Sequence, residues 1–298
     1  MAGPHLPLFA LVAVLWGIPY LLIAVALTGF DPAAVVWARV ALAAVVLVCV
    51  VGPRSLVRSL RGRLLALCGF AVVQFIIPLV LIAEAERSVP SSLVGCLVAS
   101  EPLWIALLAL RVDRAQRIGP VGAVGLLVGL VGVGVLLGVE PAGGVVGAAL
   151  VLAAAGCYAL AALLVARLAA TVPPLHLVAG GLAISAIALT PMVAVAPPSQ
   201  VPSADAIAAL IGLAVVCTAV AFPLWFALIA RMGAARAALV TYASPVVSVA
   251  LGVALLGEQP GRLAPLGLAL VLAGSWAASR PGGATPAAAR PLCDSRGG

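Results

Sequence analysis

Ten runs of mainly apolar residues, 6–28, 33–51, 64–83, 89–110, 118–139, 143–166, 174–196, 204–229, 234–256 and 263–279, take up almost all of this chain of 298 residues. A helix needs roughly 20 apolar residues to cross the hydrocarbon core of a bilayer, so each run is about as long as a span. The runs are too continuous for barrel strands, which alternate in short segments. Helices also satisfy their own backbone hydrogen bonds, as lipid demands. The predicted fold is therefore an all-α polytopic membrane protein of ten transmembrane helices joined by short loops, with no soluble domain between them. Only 8% of residues are charged, against about a quarter in soluble domains. Ala24-Val25-Ala26 could end a signal peptide, but no Lys or Arg precedes it, as a signal's n-region requires; the first helix is expected to remain.

Charge predicts the orientation. All 16 basic residues are Arg, and Arg54, Arg58, Arg61 and Arg63 crowd the second loop while Arg111, Arg114 and Arg117 occupy the fourth. Cytoplasmic loops carry such excesses. Placing these loops inside also places Arg167, Arg231, Arg236, Arg280, Arg290 and Arg296 there, so both termini are expected in the cytoplasm. Asp31, Glu84, Glu86, Glu140, Asp205 and Glu258 then fall in or beside outer loops. The net charge of +7 is thus membrane topology and does not indicate a nucleic-acid partner. The tail 281–298 is rich in Pro, Gly and Ala without apolar periodicity and is expected to be disordered.

The chain reads as a duplicated half. Aligning Glu101-Pro102 with Ser244-Pro245 lays the fourth run on the ninth. GPVGAVGLLVG at 119–129 then falls on APLGLALVLAG at 264–274, and Pro78 on Pro223. Five helices per half make the second half enter from the opposite side, giving two inverted five-helix repeats, 1–139 and 140–280. Inverted repeats with Gly/Pro-interrupted helices at matching positions mark secondary transporters and their central sites. The helix breaks or hinges are expected at Gly17, Pro19, Pro78, Pro102, Pro223 and Pro245.

The segment 217–258, with its Trp225-Phe226 pair, the R-x-G-A stretch, Pro245 and the closing Gly257-Glu258, resembles the second repeat of EamA-type transporters of the drug/metabolite transporter superfamily. Trp16-Gly17, Arg39 and Glu101-Pro102 stand where that family's pattern puts them. The resemblance covers about residues 8–279, and one departure is Cys157-Tyr158, where the family often has a Trp. It implies a ten-helix carrier of the bacterial inner membrane that moves small metabolites, often outward, without ATP. Amino acids or related compounds are the expected cargo.

Glu101 is the foremost candidate. A charged acid at a helix centre costs roughly 2.5–3.5 kcal/mol on insertion scales, so such a residue faces a cavity or a partner. It could accept a proton or grip an amine, or it could sit neutral and hydrogen-bonded near Pro102. Arg39 lies roughly 10 Å deep at ~1.5 Å per residue, either facing the cavity or snorkelling to headgroups. Gln74 and Ser244 offer neutral hydrogen bonds. Trp16, Trp104, Tyr158, Trp225 and Tyr242 are candidate cavity walls, whereas Trp37 and Trp276 read as interfacial anchors. The glycines at 122, 125, 129, 132, 267 and 274 suit close helix packing, within the chain or in a homodimer. The expected partners are a small metabolite, protons and the bilayer.

Other classes fit less well. An intramembrane enzyme would need a Ser/His, paired-Asp or metal-ligand constellation, and the spans hold neither HExxH nor paired acids. The chain has no Lys and no Walker A loop, so it is not expected to hold ATP in that way. Its six cysteines are scattered without ligand spacing, and neither metal nor cofactor is expected. A facilitative channel or uniporter, or a scaffold without transport, is the alternative to a secondary active carrier.

Overall fold

The computed structural model describes residues 5–112, 120–138, 144–194, 201–232 and 237–279. The tail at 281–298 and Arg114, Arg117, Arg236, Glu140 and Cys293 lie outside them. The described residues form helices and no strands: α1 (Leu6–Ala26), α2 (Pro32–Val51), α3 (Pro53–Leu60), α4 (Leu64–Ala71), α5 (Ile77–Ala85), α6 (Ser91–Val98), α7 (Glu101–Val112), α8 (Pro120–Gly138), α9 (Gly144–Leu168), α10 (Pro174–Ala194), α11 (Ala204–Ala214), α12 (Ala221–Met232), α13 (Val240–Leu256) and α14 (Ala264–Ala278). Two π-helical segments, Val72–Ile76 and Val215–Val220, join α4 to α5 and α11 to α12.

Among the described residues, eight helical stretches are long and apolar enough to cross a bilayer. The ninth and tenth expected spans appear as α13 and α14, which are apolar but only 17 and 15 residues long. Helix α3 is an addition to the sequence reading. It is amphipathic, with Leu56 buried and Arg54 and Arg58 exposed, and Leu60 fills a notch at Gly180 of α10. The second-loop arginines thus ride on a short helix packed against the bundle.

The packing treats the two halves alike. At the level of whole spans, α1 lies against α13 and the α11–α12 span, and α9 lies against α6 and the α4–α5 span; α2 pairs with α10, α6 with α13, and α8 with α14. Exchanging the first five spans for the last five reproduces these contacts, which is the arrangement a two-repeat chain produces. The turns at 27–31, 86–90 and 257–263 gather at one end: Gly29 touches Pro202 and Ala206, Gly147 touches Ser88 and Val89, and Glu258 reaches Ser91. We call this the acidic end, and the other, with α3 and His176 hydrogen-bonded to Ser55 at 3.0 Å, the arginine end.

The glycine rows pack within the chain. A Cβ on Gly125 would strike Ala277, one on Gly132 would strike Val271 and Leu270, and one on Gly274 would strike the backbone of Gly129. Small faces let backbones approach without side chains between them, and here they seat α8 on α14.

The prolines behave differently from one another. Pro78 and Pro223 each follow a π segment by a few residues, where a wider turn relieves the clash of a proline ring with the carbonyl four residues back. The expected break at Gly17 and Pro19 is corrected: α1 runs unbroken through both. Gly17 presses against Val247 and the Ser244 carbonyl of α13, and a packed neighbour holds such a helix straight. Pro245 likewise sits inside continuous α13. Only at Pro102 does the helix part, at a turn over Ala99 and Ser100.

Candidate functional site

The parting of α6 from α7 leaves backbone groups that lipid cannot satisfy, and polar side chains take them up. The Ser100 hydroxyl donates to the Leu97 carbonyl at 2.7 Å, and Ser275 Oγ of α14 donates to the Ala99 carbonyl at 3.4 Å. Pro102 has no N–H to offer. Glu101 is thereby the first residue of α7 rather than a mid-helix acid. A helix start favours negative charge, and Glu101 stands at this one.

Arg39 points into the bundle instead of snorkelling. Its Nε donates to Thr218 Oγ1 at 3.0 Å, and that hydroxyl donates to the Leu213 carbonyl at 2.9 Å. The acceptor lies five residues back, in α11 just before the second π segment that holds Thr218. This contact joins α2 of the first half to the second half. Arg39 makes no ion pair with Glu101; among the described residues the ion pair is Glu84–Arg87 on the surface, at 3.1 Å.

The chain has 3 tyrosines, Tyr20 on α1, Tyr158 on α9 and Tyr242 on α13, and the Glu101 charge acts on all of them. Arg39 acts on Tyr20 and Tyr158 as well. One acid, one guanidinium and three phenols thus lie within electrostatic range of one another inside the bundle. A phenol donates to an anion, accepts from a cation and presents a π face to either.

Towards the arginine end an aromatic layer crosses the bundle. Trp16 and Trp225 stack with centroids 4.6 Å apart, and Phe222 lies 6.5 Å from Trp16. Phe75 continues it 6.0 Å from Phe222, and Phe70 lies 5.6 Å from Phe75. Beyond the layer, Val12, Leu228 and Val240 are fully buried together. Trp104 is separate: it packs over Gly156 of α9, where a Cβ would meet the indole at 3.6 Å. Gln74 and Ser244 are half-buried and make no side-chain hydrogen bond to a described residue. An apolar cavity of about 280 Å³ opens between α6, α13 and α14, lined by Leu93, Cys96, Val249 and Leu268. None of the ionisable candidates lines it.

Four polar residues were missing from the sequence-derived site. Thr218 is the single hydroxyl between 206 and 229 and lies five residues before Pro223, which is the signal that could have found it. Tyr20 follows Pro19 directly. Glu258 was assigned to an outer loop, yet its carboxylate caps the start of α6, accepting from Ser91 N at 2.8 Å, Ser91 Oγ at 2.8 Å and Ser92 N at 2.9 Å. Glu86 was assigned there too, but both its carboxylate oxygens are buried with no hydrogen-bond partner. Glu84 and Glu86 are two residues apart at the end of one helix, so they face opposite ways: Glu84 meets Arg87 in the open, and Glu86 turns inward.

Comparison with known proteins adds to this geometry. Residues 5–138 and again 145–280 match the EamA-like transporter family. A solved crystal structure superposes with a TM-score of 0.67 at 21% identity, covering 94% of this chain and 98% of that one; at that identity the likeness is one of fold. No curated protein matches the chain.

Proposed function

The chain belongs to the EamA-like transporter family, and on that premise we propose that it is a secondary active carrier that exports a small metabolite, of the amino-acid type, by alternating access coupled to protons. The reading rests on the parted fourth span. A helix that starts inside the bundle with Glu101 at its head offers an anion to an ammonium group or a proton. In this reading all ten apolar helices span the bacterial inner membrane as two inverted repeats, 1–139 and 140–280, with both termini cytoplasmic. The arginine-rich loops on one side support that orientation.

The division of labour follows from the residues. Glu101 holds the proton or the cargo's amine, Arg39 is placed to meet a carboxylate, and Tyr20, Tyr158 and Tyr242 fill the remaining polar contacts. Trp16, Trp225 and Phe222 form the seal towards the cytoplasm. The π segments before Pro78 and Pro223, with the turn at Ala99–Ser100, supply the places where the helices bend as access alternates.

The test uses purified protein in liposomes with a panel of labelled amino acids. A carrier gives saturable uptake that is accelerated by unlabelled amino acid on the far side; flux linear in concentration without exchange would make the protein a channel. Glu101→Gln is expected to abolish the pH dependence of that exchange while the protein stays folded. Unchanged pH dependence in Glu101→Gln would remove Glu101 from the coupling.

A further inference from the structure

Glu86 is the one carboxylate among the described residues whose oxygens are both buried and both without a hydrogen-bond partner. It closes α5 at the acidic end, its backbone N–H bonded to the Ile82 carbonyl at 3.0 Å. The charged and titratable groups facing it come from every neighbouring element. Arg39 on α2 attracts it and Glu258 beyond α13 repels it, and its charge reaches Tyr20 on α1. The facing span α9 carries no charged residue before Arg167 at its far end. Burial, reinforced by Glu258 and opposed by Arg39, holds the Glu86 carboxyl well above the ordinary carboxylate range.

An ionised carboxylate cannot remain buried and unpaired without a large cost. Two remedies are open to Glu86: a proton, or the guanidinium of Arg39, whose charge acts on it. In this structure the Arg39 Nε donates to Thr218 and the Glu86 oxygens have no hydrogen-bond partner, the arrangement that a neutral carboxyl tolerates. We propose that Glu86 is a proton-binding site that sets the partner of Arg39: neutral Glu86 leaves Arg39 on Thr218, and ionised Glu86 draws Arg39 away to itself. The released proton leaves towards the acidic end, where Glu84 and Arg87 are exposed. Because Thr218 lies in the second π segment, loss of the Arg39 contact frees a joint between the two halves. Proton release at Glu86 is thereby tied to movement of α11 and α12 against α2. This site stands apart from Glu101 and needs no knowledge of the cargo.

Infrared difference spectra of the protein in lipid nanodiscs, followed through a pH titration, test it. One component of the protonated-carboxyl band is expected to persist above the usual carboxylate range, to disappear in Glu86→Gln and to remain in Glu101→Gln. Thr218→Val, which keeps Glu86 in place and frees Arg39, is expected to lower the midpoint of that band by about one pH unit, roughly tenfold in proton affinity. A protonated-carboxyl band that loses no component in Glu86→Gln, or a Glu86 midpoint unmoved in Thr218→Val, overturns the proposal. Should the band instead vanish in Glu101→Gln alone, the proton belongs to Glu101 and this site falls while the coupling reading above stands. A Glu86 band that behaves as expected, beside unchanged transport pH dependence in Glu101→Gln, gives the converse.

Discussion

Pro102 and Pro245 occupy matching positions in the two repeats, yet Pro102 stands where α6 and α7 part and Pro245 lies inside a single helix from Val240 to Leu256. The difference lies in what surrounds each proline. At Pro102 the freed Ala99 carbonyl finds the hydroxyl of Ser275, the Leu97 carbonyl accepts both the amide and the hydroxyl of Ser100, and Glu101 heads the new helix. Around Pro245 the helix is clamped: Gly17 of α1 lies against the Ser244 carbonyl and Val247, and Gly95 of α6 lies against Ser248. In the second half the tight turn comes earlier, at Ala238–Leu239, with Thr241 Oγ1 bonded to the Ala238 carbonyl at 2.7 Å. A proline marks where a membrane helix can open; neighbouring donors and close contacts decide whether it does.

The largest effect is expected where the two spans touch. A Cβ on Gly95 would come within 2.7 Å of Ser248 Cβ, so Gly95→Val forces α6 from α13. It should cost about 3 kcal/mol of stability, read as a fall in unfolding temperature in detergent. Adding Ser248→Gly should recover a good part of that loss; no recovery would mean that the clash is not at this crossing.

Next comes the cap that the second half lends to the first. Glu258→Ala removes three hydrogen bonds from the start of α6 and is expected to cost about 2 kcal/mol, charge-assisted bonds being the stronger kind. The amides of Ser91 and Ser92 should exchange with deuterium faster, while those early in α13 should not change. Equal acceleration in both spans would argue for general loosening instead of a lost cap.

The smallest effect separates the prolines themselves. Pro102→Ala and Pro245→Ala should each alter stability by no more than about 1 kcal/mol. If the hydroxyls hold the fourth span open, the amides at 99–103 remain fast to exchange in Pro102→Ala. Protection rising there to the level found at 242–246 would assign the break to the proline alone.

The long apolar runs made an all-helical membrane protein legible, because lipid leaves the backbone few other choices. Pairing Pro78 with Pro223 and the Gly rows at 122–132 with 267–274 revealed the repeats, since glycine and proline act on the backbone wherever they stand. The prolines did not reveal which helices break. Pro19 and Pro102 look alike along the chain and differ only in what packs on them.

The candidate site was legible in part. Glu101 and Arg39 stand out along the chain because a charged group is costly in lipid and so carries information by itself; Tyr158 and Tyr242 are read there as aromatic walls. Glu86 and Glu258 do not stand out, because both fall at the ends of apolar runs, where an acid would ordinarily be solvated. One or two residues of helical phase separate exposed Glu84 from buried Glu86, and hydropathy does not resolve that phase.

The sequence by itself thus determined that this protein is a duplicated helical bundle in a membrane, from apolar length and from the positions of its backbone-altering residues. Only the tertiary structure decided that Arg39 meets Thr218, that Glu258 caps a helix of the other half and that Glu86 has no partner. Each of those is a relation between spans far apart along the chain, and hydrogen bonds and burial exist only once both partners are in place.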